Sequence, residues 1–110
     1  MALQINRTLT TQNGFDVPSG TYVWLLETRG QNRDGFGYPV KVDVMFFKDK
    51  ASFDAGKKRY NPVEVPESMN SFSQDFSASA YAALTVMQIH NFVRAQLETS
   101  LGAGTITIVQ

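Results

Sequence analysis

Between Val40 and Phe47 the chain alternates strictly. Val40, Val42, Val44 and Phe46 point one way, and Lys41, Asp43, Met45 and Phe47 point the other. A helix turns every 3.6 residues and scatters such a set around its axis, so this stretch is a strand with one strongly apolar face. Pro39 stands at its start, where a missing backbone donor costs least. Residues 21–29 form a second strand, with Tyr22, Trp24 and Leu26 on one face and Val23 and Leu25 on the other. A strand that is apolar on both faces is central, or covered on both sides. The segment Gly30 to Gly37 between them, with Asn32 and Asp34, reads as a hairpin loop. The two strands are therefore expected to pair antiparallel.

The rest of the chain must cover this hairpin. Thr85 and Gln88 form a capping-box pattern flanked by Leu84 and Ile89 in staple positions. Val86, Ile89, Val93 and Leu97 then recur at spacings of three and four, the stripe of an amphipathic helix, and Gly102 suits its C-terminus. Asp49 and Gly56 bracket a short helix through Ala51, Phe53 and Ala55. Residues 3–11 alternate as a strand through Leu3, Ile5 and Leu9, although Arg7 interrupts the apolar face. Asn13-Gly14 and Val17-Pro18-Ser19-Gly20 are turn signals. Val63-Glu64-Val65, between Pro62 and Pro66, suits a short edge strand. Residues 67–80, rich in serine, read as a loop pinned by Phe72 and Phe76 with room for one short strand, and residues 105–109 as a closing strand. The expectation is one α+β domain over residues 1–110. It has a small antiparallel β-sheet packed against one main C-terminal helix, with a short helix near 49–56.

Composition narrows the function classes. There is no cysteine, which removes disulfides, thiol nucleophiles and thiolate metal sites and favours a reducing compartment. No apolar run reaches the length of a membrane span, and residues 1–9 show no secretory signal pattern, so no membrane partner is expected. Ten Lys and Arg balance ten Asp and Glu. That balance argues against a dedicated nucleic-acid binder, which draws on unneutralised cations. It also lacks the self-repulsion that keeps monomers apart.

No catalytic pattern stands out. His90 is the only histidine, sits in the helical stripe, and cannot build a multi-histidine zinc site. No spacing marks two carboxylates as an acid and base pair. The glycines between 30 and 37 lack the Lys-Ser or Lys-Thr ending of a phosphate loop and lead into a strand. The expectation is therefore a non-enzyme with no cofactor, metal or small-molecule substrate. Lys57, Lys58 and Arg59 make the one basic patch, with Tyr60 beside it. An alternative reading follows from it: a small binding module for nucleic acid, using stacked rings, or for an acidic protein partner.

Aromatic residues are the most distinctive feature. Eight Phe, four Tyr and one Trp are present, and Trp24, Phe36, Tyr38 and Phe47 sit where a single core does not need them. Rings are enriched at protein interfaces because they bury large areas at low entropic cost. A sheet apolar on both faces needs two covers, and the sequence supplies one substantial helix. These four residues are the interface candidates, and the strands at 3–11 and 105–109 are candidate edges for a neighbour's sheet.

Across Tyr22 to Leu97, the order of features is a Trp24 strand, a hairpin ending in Phe46-Phe47-Lys48, Phe53-Asp54-Ala55-Gly56-Lys57, Pro62-Val63-Glu64-Val65-Pro66, Tyr81-Ala82-Ala83-Leu84 and the closing helix. This order resembles small virion proteins of tailed bacteriophages, especially those infecting Bacteroidetes hosts. The resemblance implies a neck, ring or capsid-associated subunit present in many copies. Its partners would be copies of itself and other virion structural proteins. It would be located in the virion, and in the host cytoplasm during assembly. It implies no catalytic residue.

Overall fold

The computed structural model describes residues 1–31, 35 and 37–110. Its strands are β1 (Ala2–Ile5), β2 (Leu9–Thr10), β3 (Asp16–Val17), β4 (Thr21–Arg29), β5 (Tyr38–Phe47), β6 (Ser71–Phe76) and β7 (Ile106–Val109). Its helices are α1 (Lys50–Asp54), α2 (Ala78–Ala83) and α3 (Val86–Leu101), with a 3-10 turn at Glu67–Met69. The fold is α+β. Five strands form one antiparallel sheet in the order β6-β5-β4-β1-β7, and β2 and β3 form a separate two-stranded ribbon.

The β4–β5 hairpin is the spine. Val23 lies opposite Phe46 and Leu25 opposite Val44, so these residues share a face with Val40 and Val42. Leu3 and Ile5 of β1, Ile106 of β7 and the buried side of α3 close the core over that face. On α3 the buried residues are Ile89, His90, Val93, Leu97 and Leu101. Val86, expected in the stripe, is the first residue of the helix and is 51% exposed.

The capping box forms as the pattern requires. The Gln88 amide donates to Thr85 Oγ1 at 3.1 Å, and the Thr85 amide donates to Gln88 Oε1 at 2.9 Å. Gly102 ends the helix at φ 105°, a conformation that L side chains rarely adopt. Another glycine is fixed by crowding. A Cβ on Gly30 would lie 2.6 Å from Pro39 Cγ, across the pair that closes the hairpin.

Three expectations need correction. The strand expected at 3–11 is broken at Asn6–Thr8, and its second half pairs with β3 rather than joining the main sheet. Arg7, which interrupts the apolar face, reaches from this break to the C-terminal end of α3. Its guanidinium donates to the Leu101 carbonyl at 3.1 Å. Val63-Glu64-Val65 is a turn, not an edge strand. Pro62 and Val65 are buried there, and Glu64 fastens the turn to β2. Its two carboxylate oxygens accept from the Thr10 amide at 2.9 Å and the Thr10 hydroxyl at 2.8 Å. The segment 67–80, expected as a loop with at most one short strand, holds that strand as β6 and a helix, α2, as well.

Burial pushes the Glu64 carboxyl up, but the donors on Thr10 prevail and hold it below the usual carboxylate range. A depressed carboxyl contributes stability that is present above its ordinary value and lost as pH falls through the folded one. Glu64→Gln should therefore lower the melting temperature at neutral pH, and the gap from wild type should close in acid. Thermal melts across pH check this. Thr85→Ala should cost about 1 kcal/mol of unfolding free energy in urea titrations, the usual worth of an N-cap.

Candidate interaction surface

The sheet face turned away from α3 carries Tyr22, Trp24 and Leu26 from β4 and Met45 and Phe47 from β5, a consequence of the two-residue period. Part of its cover is internal. Asp49 caps α1 by accepting from the Ser52 amide at 2.7 Å, and this places Phe53 over the strands. The Phe53 ring lies 5.0 Å from Tyr22, 5.0 Å from Trp24 in a stacked pair, and 5.1 Å edge-on from Phe47. Trp24 and Phe47, expected to face another chain, are thus half-buried against their own short helix. Leu26, farther along the same face, stays 50% exposed.

Tyr38 sits on the opposite face, the α3 side. Its ring stacks on Tyr81 of α2 at 4.8 Å, and the Arg29 guanidinium lies 5.5 Å from the centre of the Tyr81 ring. Arg29 also pairs with Glu27 at 2.7 Å and donates to the Leu84 carbonyl at 2.9 Å. This ladder anchors the link between α2 and α3 to the sheet. Phe36, the fourth interface candidate, lies outside the described residues.

The open apolar surface lies elsewhere. Between β6 and the start of α3 runs a groove of about 260 Å³, lined chiefly by Val40, Val42, Phe72, Phe76, Ile89 and Phe92. Phe72 and Phe92 meet edge-to-face at 5.6 Å across it, and Phe92 is 47% exposed. Met87 and Val86, earlier on the same helix, are exposed too. The sequence allows one short strand within 67–80 but does not place it or the groove, because serines mask the alternation of Phe72, Gln74 and Phe76 in β6.

The groove borders a free sheet edge. Among the described residues, β6 pairs only with β5. The bond from the Val44 amide to the Asn70 carbonyl at 2.9 Å sets the phase of that ladder. Antiparallel alternation then turns the amides and carbonyls of Ser71, Ser73 and Asp75 outward. Of the two terminal strands expected as edges, β1 lies inside the sheet between β4 and β7, and only β7 is an edge. That edge is partly shielded, since Glu98 Oε2 accepts from the Gly104 amide at 2.8 Å and the Ile106 amide at 3.4 Å.

The basic patch is exposed. Lys57, Lys58 and Arg59 follow α1 in a loop, and none of the three makes an ion pair among the described residues. Arg59 lines a polar hollow of about 420 Å³ with Asp43, Asn61 and Asn70. Tyr60 does not extend the patch. Its hydroxyl bonds to the buried Thr21, its amide donates to the Phe46 carbonyl at 2.9 Å, and its ring packs on the core. Burial pushes the Tyr60 hydroxyl up, with the Thr21 bond opposing. His90 is 5% exposed, with Nδ1 held 2.8 Å from the Val86 carbonyl of its own helix. Nδ1 therefore donates to that carbonyl, and Nε2 is buried with no hydrogen-bond partner among the described residues. No group of three metal-ligating side chains occurs among the described residues.

Removing the Phe53 ring should uncover the far face. Phe53→Ala is expected to red-shift the emission of Trp24, the only tryptophan, and to cost about 1–3 kcal/mol in stability. Fluorescence during urea unfolding measures both.

Compared with protein-family models, with curated proteins and with solved structures, the chain matches none of them.

Proposed function

We propose that this chain is a structural subunit of a multi-copy assembly, and that the assembly is a bacteriophage virion, as a neck, ring or capsid-associated protein. The virion is the setting its sequence resemblance implies. The function then resides in contacts between chains, with copies of itself and with other virion proteins, first in the host cytoplasm and then in the particle. One observation carries the reading. The apolar groove beside β6, with Phe92, Met87 and Val86 exposed along its helix, adjoins a strand edge with outward-facing backbone groups. Both features are satisfied by a second polypeptide, since rings bury area and a free edge pairs with another strand.

The exposed cations at Lys57, Lys58 and Arg59, without an ion pair among the described residues, are what favours the second reading, a module for nucleic acid or an acidic protein. Stacking on single strands needs open rings next to the cations, and Tyr60 is committed to Thr21 and the core. The assembly reading therefore has the stronger geometric support.

Light scattering coupled to size exclusion should give a native mass at least twice the 12.2 kDa chain mass, or a discrete complex with other virion proteins. A monomer at every concentration, alone and mixed with such proteins, overturns the reading. Under the alternative, Lys57→Glu with Lys58→Glu would abolish a binding signal that falls steeply with salt.

A further inference from the structure

Resting on the assembly reading, we infer that the partner on the β6 edge is a second copy of this chain, paired antiparallel across a two-fold axis at Ser73.

The edge first departs from what a protected edge looks like. Natural sheet edges carry lysine, proline or a bulge that discourages pairing. β6 reads Ser-Phe-Ser-Gln-Asp-Phe, with no lysine and no proline, and Ser71, Ser73, Gln74 and Asp75 are all exposed. The opposite edge, at β7, is only four residues long and has its Ile106 amide engaged by Glu98. If copies pair edge to edge, β6 is the strand they use.

The register follows from which groups point outward. Ser71, Ser73 and Asp75 must form the hydrogen-bonded pairs of the new ladder, because the backbone of Phe72, Gln74 and Phe76 faces β5. Centring the pairing on Ser73 uses all three positions. Ser73 then faces its own copy, and Asp75 faces Ser71 of the other chain, a hydroxyl donor opposite a carboxylate. Sliding the copies along the edge leaves outward groups unpaired, and the slide that centres on Asp75 sets two carboxylates face to face, which is destabilising. The strand is therefore self-complementary in one register above the others.

The groove supports the same arrangement. A two-fold axis that joins antiparallel edges into one sheet stands perpendicular to the sheet, so the α3 helices of both copies lie on the same face. The groove beside β6 is on that face, since Phe72, Gln74 and Phe76 share it with Val40 and Val42. In the Ser73-centred register, Phe72 of one chain is diagonal to Phe72 of the other, at a separation that rings span. The Phe72–Phe92 pairs of the two copies then meet across the axis, and the exposed Phe92 ring faces the partner.

A chain without cysteine makes the test clean. Hydrogen-bonded antiparallel pairs have Cα atoms about 5.5 Å apart, inside the range a disulfide tolerates. Ser73→Cys should become a covalent dimer in most chains under a mild glutathione redox couple. Ser19→Cys, exposed in a loop away from β6, should not. Ser73→Lys sets two cations opposite each other and should at least halve the native mass in low salt, with recovery as salt is raised and an unchanged far-UV spectrum. Ser73→Pro removes the outward amide and should halve the mass irrespective of salt. If it fails to fold, the lysine and cysteine variants still decide. An oligomeric wild type whose mass survives Ser73→Lys, with no disulfide in Ser73→Cys, overturns the β6 pairing and leaves the assembly reading standing. A wild type that is monomeric throughout overturns both.

Discussion

The ladder between β4 and β5 organises the molecule because it sets which side chains share a face. Eight pairs, from Tyr22 with Phe47 to Arg29 with Val40, hold the two longest strands in register. A slip of one residue would move Val23, Leu25, Val40, Val42, Val44 and Phe46 from the helix side to the open side. Every other element is positioned by that choice. β1 and β7 extend the sheet on one side and β6 on the other, and α3 lies over the valine face. Packing, more than propensity, holds the helix there. Ile89, Val93, Leu97 and Leu101 are all buried, at roughly 2 kcal/mol each, against about 1 kcal/mol for the N-cap.

The two faces of the sheet are covered by different means. The helix side is a continuous aliphatic core, completed by the Tyr38–Tyr81–Arg29 ladder where α2 joins α3. The other side is covered at one end by a single ring, Phe53, on a helix of five residues. Because α1 is so short, its cover reaches Tyr22, Trp24 and Phe47 but leaves Leu26 half-exposed. The chain thus shields the far face locally, and open apolar surface shifts to the groove beside β6.

That shift gives the functional reading its geometry. The basic loop beyond α1 is exposed and its neighbour Tyr60 is engaged inside, so Tyr60 offers no open ring beside the cations. His90 is locked against its own helix backbone, with its second nitrogen buried. What the surface offers is apolar rings next to unpaired strand backbone, the chemistry of contact between chains.

Local patterns in the sequence determined a good deal. The period-two alternation at 40–47, the twin-faced strand at 21–29, the Thr85–Gln88 capping box, the Gly102 terminus and the short helix after Asp49 each depend on neighbours within a few residues, and each was legible for that reason. Only the tertiary structure decided where those elements' surfaces would go. Phe53 could not be assigned to Trp24 and Phe47 from spacing, because the contact joins a strand, a strand and a helix through the sheet register. Arg7 looked like a flaw in a strand until the end of α3 stood beside it. Glu64 looked like part of an edge strand, but its carboxylate bonds to Thr10 across 54 residues of chain. β6 was legible only as one short strand allowed somewhere in 67–80, since its exposed serines carry no apolar signal. Periodicity reports which face of an element is apolar. What covers that face is settled by long-range pairing, and that is information no window of sequence contains.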